Sequence, residues 1–120
     1  MRTGAVFLLF STLFLSAMTQ AAERGFSNYD GDTFKATFRI ANVDTPEIKG
    51  KCPSETELAK KAQAFTKDFL AQNNLVITQT GVDRYGRILV TVQHNGVDLG
   101  EVLVAAGLAR EWTGKRESWC

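Results

Sequence analysis

Residues 30–47 read DGDTFKATFRIANVDTPE, and the pattern of this stretch decides the fold. Asp30-Gly31-Asp32-Thr33 is an acidic turn, because Asp side chains bond the local backbone and Gly accepts turn conformations. From Phe34 the chain alternates. Phe34, Ala36, Phe38 and Ile40 share one side and Lys35, Thr37 and Arg39 the other, which is the period of a half-buried strand. The strand ends at Val43-Asp44-Thr45-Pro46-Glu47, where Pro46 has no N–H to donate and biases Thr45 toward an extended conformation.

Downstream, a loop over residues 48–53 leads to Ser54-Glu55-Thr56-Glu57, a capping-box signature that opens a helix. Leu58, Ala62, Phe65 and Phe69 form its apolar stripe, and Asn73-Asn74 stops it after about Gln72. Lys60, Lys61, Lys67 and Asp68 make its solvated face. Short strands follow at residues 75–80 and 88–92, separated by the turn Asp83-Arg84-Tyr85-Gly86-Arg87. His94-Asn95-Gly96 is a tight turn, which makes the lone His a surface residue rather than a base. Asp98 with Glu101 caps a second helix with Leu99, Val102, Leu103 and Ala106 on its apolar face and Gly107 at its stop. Several short strands with one long and one short helix describe a small, mostly β domain of α+β class, a partly closed barrel with helices packed outside.

Upstream, residues 23–28 are a polar lead, and before them Met1-Arg2 precedes an apolar run over residues 5–18 that ends in Thr19-Gln20-Ala21-Ala22. That run is shorter than the roughly 20 residues of a membrane-spanning helix. It has the make-up of a cleaved secretory signal, giving a signal peptide over 1–21 and one domain over 22–120. The product is exported, periplasmic or secreted, with no stable membrane association after cleavage, and is expected to be a monomer. The 14 Lys+Arg against 13 Asp+Glu exclude a polycationic protein of the histone kind, and loss of Arg2 with the signal leaves a formally neutral chain. Export also places Cys52 and Cys120 in an oxidising compartment, where they pair as a disulfide or persist as two thiols. Closing so long a loop would stabilise the domain by about 4 kcal/mol in the chain-entropy account. A lone His and two Cys give no zinc spacing.

Asp30, Asp32, Asp44 and Glu47 sit at turns and strand ends, where they are either ordinary turn formers or a hard-oxygen site better suited to Ca²⁺ than to Mg²⁺. Arg39 and Arg87 supply planar, permanently charged donors able to hold phosphate oxygens. A metal, two arginines and a carboxylate base suffice for phosphodiester hydrolysis.

Asp30-Gly31-Asp32-Thr33, Phe38-Arg39-Ile40 through Val43-Asp44-Thr45-Pro46-Glu47, and Asp83-Arg84-Tyr85-Gly86-Arg87 resemble the signature blocks of the thermonuclease family, the staphylococcal-nuclease-like domains. Ala64-Phe65-Thr66-Lys67 and residues 103–109 match as well. The resemblance implies an oligonucleotide-binding-type (OB) five-stranded barrel with flanking helices and Ca²⁺-dependent endonucleolytic hydrolysis of DNA and RNA. It implies Asp32 and Asp44 as carboxylate ligands of Ca²⁺, with the Thr45 carbonyl. It implies Glu47 as the general base, Arg39 and Arg87 as the phosphate clamp, and Arg84 and Tyr85 as flanking the bound nucleotide. The alternative is a catalytically silent barrel that binds single-stranded nucleic acid.

Overall fold

The computed structural model describes residues 26–120, and the signal peptide expected over 1–21 lies outside them. In chain order the elements are β1 (Phe26–Asp30), β2 (Thr33–Ala36), β3 (Phe38–Ile40), β4 (Val43–Asp44), α1 (Pro53–Leu70), β5 (Leu75–Val82), β6 (Ile88–His94), β7 (Val97–Asp98), α2 (Leu99–Ala105) and β8 (Arg110–Glu111). The α+β class is as expected, mostly strands with two helices. The strands form a β1-β2 pair, a sheet in the order β3-β6-β5 with β7 on β6, and a β4-β8 pair. A closed five-stranded barrel is not found among the described residues.

The chain divides into two compact units. Among the described residues, one comprises those up to Arg39 together with Gly81–Ile88, the other Ile40–Thr80 with Leu89–Cys120.

In the first unit, what the sequence suggests is a polar lead is in fact strand β1. It pairs antiparallel with β2 in the register Phe26↔Ala36, Ser27↔Lys35, Asn28↔Phe34 and Asp30↔Thr33, with an irregularity at Tyr29. Gly31 and Asp32 form the turn between them. The Phe26 and Phe34 rings meet across the pair at 6.0 Å. The expected single alternating strand is broken at Thr37 into β2 and β3, and it is not half-buried: Phe34 and Phe38 are 66% and 58% exposed. Period-two alternation places residues on two faces; it does not decide whether either face is covered.

The core lies in the second unit. Val43, Ala59, Ala62, Phe69, Val90, Val92, Leu99, Leu103 and Ala109 are all buried. Helix α1 starts earlier than the capping box suggests. Cys52 is its N-cap, without a side-chain cap bond, and Pro53 opens the first turn, where its missing N–H costs nothing. The buried face is Glu55, Ala59, Ala62 and Phe69; it shares Ala62 and Phe69 with the expected stripe, while Leu58 and Phe65 are only half-buried. Asn95 and Gly96, at φ 49° and 80°, form a two-residue turn joining β6 to β7, the left-handed pair a twisted hairpin favours. The His94 Nδ1 lies 2.8 Å from the Asn73 carbonyl, which makes it the protonated ring nitrogen and gives His94 a structural bond.

Helix α2 follows its sequence signals closely. Asp98 is the N-cap, accepting from the Glu101 N–H at 2.9 Å, and Asn42 Nδ2 donates to the same oxygen at 3.1 Å. At the other end Gly107 adopts φ 73° while its N–H bonds the Val104 carbonyl and the Leu108 N–H bonds that of Leu103, a Schellman stop. Among the described residues no helix is long and apolar enough to cross a membrane.

Candidate functional site

Each unit carries its own part of the expected residues. In the first, the Asp32 N–H donates to Asp30 Oδ1 at 3.3 Å and the Thr33 hydroxyl to Asp32 Oδ1 at 3.0 Å. The side-chain hydrogen bond with Asp32 is the main influence holding Asp30 below the usual aspartate range. Arg39 is half-buried on β3. The 83–87 turn is organised by Asp83, whose Oδ1 accepts from the Tyr85 and Arg87 N–H groups, both at 2.9 Å, and whose Oδ2 accepts from Arg87 Nε at 2.7 Å. Partial burial works to raise the Asp83 pKa, and these bonds with the Arg87 charge outweigh it and lower it. The Arg87 guanidinium is thereby fixed by one edge. Tyr85 is 61% exposed, with the Arg84 guanidinium 5.1 Å from its ring centre.

In the second unit, β4 pairs with β8 so that Asp44 lies opposite Arg110, and the Trp112 N–H closes on the Asn42 carbonyl. Asp44 is buried, Thr45 half-buried and Glu47 exposed on the loop that follows. The Cys52–Cys120 disulfide is formed, with Cα atoms 6.0 Å apart, and it brings the C-terminal tail to the acids. Arg116 Nη1 donates to Glu47 Oε1 at 2.6 Å and lies 3.7 Å from Asp44 Oδ1, while its Nη2 lies 3.7 Å from Glu55 Oε2. Trp119 Nε1 donates to Asp44 Oδ2 at 3.1 Å, and the Arg110 guanidinium stacks 3.6 Å from the Trp119 ring centre. Burial alone would lower the Arg116 pKa, but the Glu47 bond and the charges of Asp44, Glu47 and Glu55 raise it.

Glu55 holds the loop that carries Glu47. It accepts from the Glu47 N–H and from the Lys51 N–H, both at 3.0 Å. A Cβ on Gly50 would stand 2.8 Å from Glu55 Cγ and 3.0 Å from the Glu47 carbonyl, so only glycine lets the loop close on this carboxylate. The two backbone donors, Lys51 first, hold the Glu55 pKa below its ordinary value. A depressed folded pKa stabilises fully above the unfolded value of about 4.3 and is lost as pH falls through the lower folded value. Glu55→Gln should therefore lower the urea midpoint at neutral pH, and the gap to the parent should close below about pH 4. A gap of equal size at pH 3 and pH 7 would show that the Glu55 charge contributes nothing.

Arg116, Trp119 and Glu55 are the residues that the sequence did not single out. The signal available was the disulfide itself. Once Cys120 is joined to Cys52, a basic residue four positions before it falls within reach of the acids that flank Cys52. Among the described residues, no three His, Cys, Asp or Glu side chains are grouped as an ion would require. Asp44, Glu47 and Glu55 are instead arranged around the Arg116 guanidinium, which holds the place a cation would have beside these three carboxylates.

The family pattern described as staphylococcal nuclease homologue matches residues 37–118. It takes in β3, the Asp44–Glu47 segment, both helices, the 83–87 turn and the tail as far as Ser118. A match over more than half of the chain settles its kinship: it belongs to the staphylococcal nuclease homologue family.

Proposed function

We propose that the chain is an exported endonuclease that hydrolyses phosphodiester bonds of DNA and RNA. Family membership supports a nuclease-type hydrolase acting on nucleic acid. The observation that carries the finer proposal is the anchored Arg87. Its Nε is spent on Asp83, which sets the plane of the guanidinium and leaves the terminal nitrogens as the edge for a phosphate. In the proposed chemistry Glu47 takes the proton of the attacking water, and Arg39 and Arg87 stabilise the charge that gathers on phosphorus. Tyr85, exposed and backed by Arg84, stacks on a base. Calcium, with Asp32, Asp44 and the Thr45 carbonyl as ligands, the five-stranded barrel of the OB type, the signal peptide over 1–21 and the monomeric state belong to the same proposal. The Cys52–Cys120 disulfide supports a periplasmic or secreted location.

Digestion of single-stranded DNA with and without a chelator tests the whole. Cleavage is expected, and chelation should abolish it; metal-independent cleavage would remove calcium from the scheme. Arg87→Ala should lower kcat by about a hundredfold with little change in KM, the mark of a contact made in the transition state. A change confined to KM would make Arg87 a binding residue only. One observation favours a second function, a silent module for single-stranded nucleic acid: Glu47 is already bonded to Arg116. Salt-dependent binding without cleavage in the presence of calcium would establish it.

A further inference from the structure

Both carboxylate oxygens of Asp44 face donors from the tail, Oδ1 the Arg116 guanidinium and Oδ2 the Trp119 indole, and Glu47 Oε1 holds the shortest contact of the group. A calcium ion needs oxygen lone pairs at about 2.3–2.6 Å. A guanidinium aimed at the same oxygens would put two positive charges in contact, so the two cannot share them. We infer that Arg116, held by its bond to Glu47, is an internal competitor for the cation place at Asp44, so that the C-terminal tail and a divalent cation exclude one another there. The inference rests on the proposed role of Asp44 as a cation ligand.

The tail is built to hold this position without being locked in it. Three attachments fix its end: the Cys52–Cys120 bond, the stacking of Arg110 on Trp119, and the Arg110 Nη2 bond to the Ser118 carbonyl at 2.9 Å. Arg116 lies upstream of them, its side chain 45% exposed and that of Glu47 57% exposed, so the guanidinium can swing away while the tail stays tethered. Glu55 tolerates its departure, because two backbone N–H groups still serve it. Asp44 and Glu47 would then be the pair left with charge to satisfy. The tether also keeps Arg116 at high local concentration, so it returns when the cation leaves.

Competition and support predict opposite signs. A competitor that occupies the place nine-tenths of the time weakens apparent cation affinity about tenfold, whereas a guanidinium that merely positions the carboxylates would strengthen it. The experiment is calorimetric titration of the oxidised full chain with calcium chloride at fixed ionic strength, for the parent, Arg116→Gln and Arg116→Lys. Asp44→Asn assigns the heat to this place. Arg116→Gln should bind calcium about tenfold more tightly, and Arg116→Lys, which keeps the charge, should gain little. Equal or weaker binding by Arg116→Gln overturns the inference; if chelator-sensitive DNA cleavage persists in that case, the nuclease proposal still stands. Absence of any calcium binding sensitive to Asp44→Asn overturns both the competitor and the calcium part of the proposed function.

Discussion

Glu47→Gln should reduce kcat on single-stranded DNA by about a hundred- to ten-thousand-fold, the range in which a positioned general base contributes. The amide keeps the shape of the side chain and can still accept a hydrogen bond from Arg116, so the loop held by Glu55 has no reason to move. What is lost is the negative charge, shared with Arg116 at a largely exposed place, and with it the capacity to take a proton. KM should therefore stay near that of the parent, the far-ultraviolet spectrum should not change, and the thermal midpoint should move little, because an ion pair this exposed contributes at most about 1 kcal/mol. Undiminished turnover in the variant would remove Glu47 from the chemistry, and an equal fall in kcat with a lost thermal transition would make it a structural residue.

Leu103→Ala has the largest expected effect on stability. Leu103 is 1% exposed, on the same face of α2 as Leu99, in the core of the second unit. Truncation removes buried methyl groups and leaves a void that surrounding side chains fill only in part, a loss of about 2–5 kcal/mol. Leu103 also lends its carbonyl to the Schellman stop at Gly107, but that bond is made by the backbone and survives the substitution. The measurement is a urea titration of the oxidised protein. A loss under about 1 kcal/mol would mean that this core relaxes around the gap, which close packing argues against.

Legibility in the sequence followed the range of the interactions. Helix α2 was readable at both ends because Asp98, Glu101 and Gly107 act on backbone groups within a few residues of themselves. The Asn95-Gly96 turn was readable for the same reason, since left-handed backbone needs those residue types. The start of α1 was misplaced because two local signals competed, and the proline at the first turn prevailed over the Ser54-Glu57 box. Strand β1 went unseen because FSNYD is polar and exposed at all but its first residue, so no hydrophobic period marks it. Phe34 and Phe38 show the limit of periodicity, which gives faces and not coverage. For the candidate site, the acids and arginines were visible as residue types at turns and on short strands, and Asp83's hold on Arg87 is a bond across four residues. The contact of Arg116 with Glu47 spans 69 positions and depends on a disulfide, so no local pattern could announce it.

The bond from Cys52 to Cys120 makes residues 52–120 a single covalent ring, with the residues before Cys52 as an arm attached to it. A protease that cuts one peptide bond inside the ring opens a circle and releases nothing. Helices α1 and α2 and strands β5 and β6 stay on one molecule, and the cut ends remain close enough to pack again. The same single cut in the arm severs whatever precedes it from the ring, and a cut between Asp44 and Cys52 would sever Asp32, Arg39 and Asp44 together. Under the proposed export, the chain would therefore resist breakage unevenly: a single nick within residues 52–120 leaves one covalent molecule, and a single nick before Cys52 leaves two.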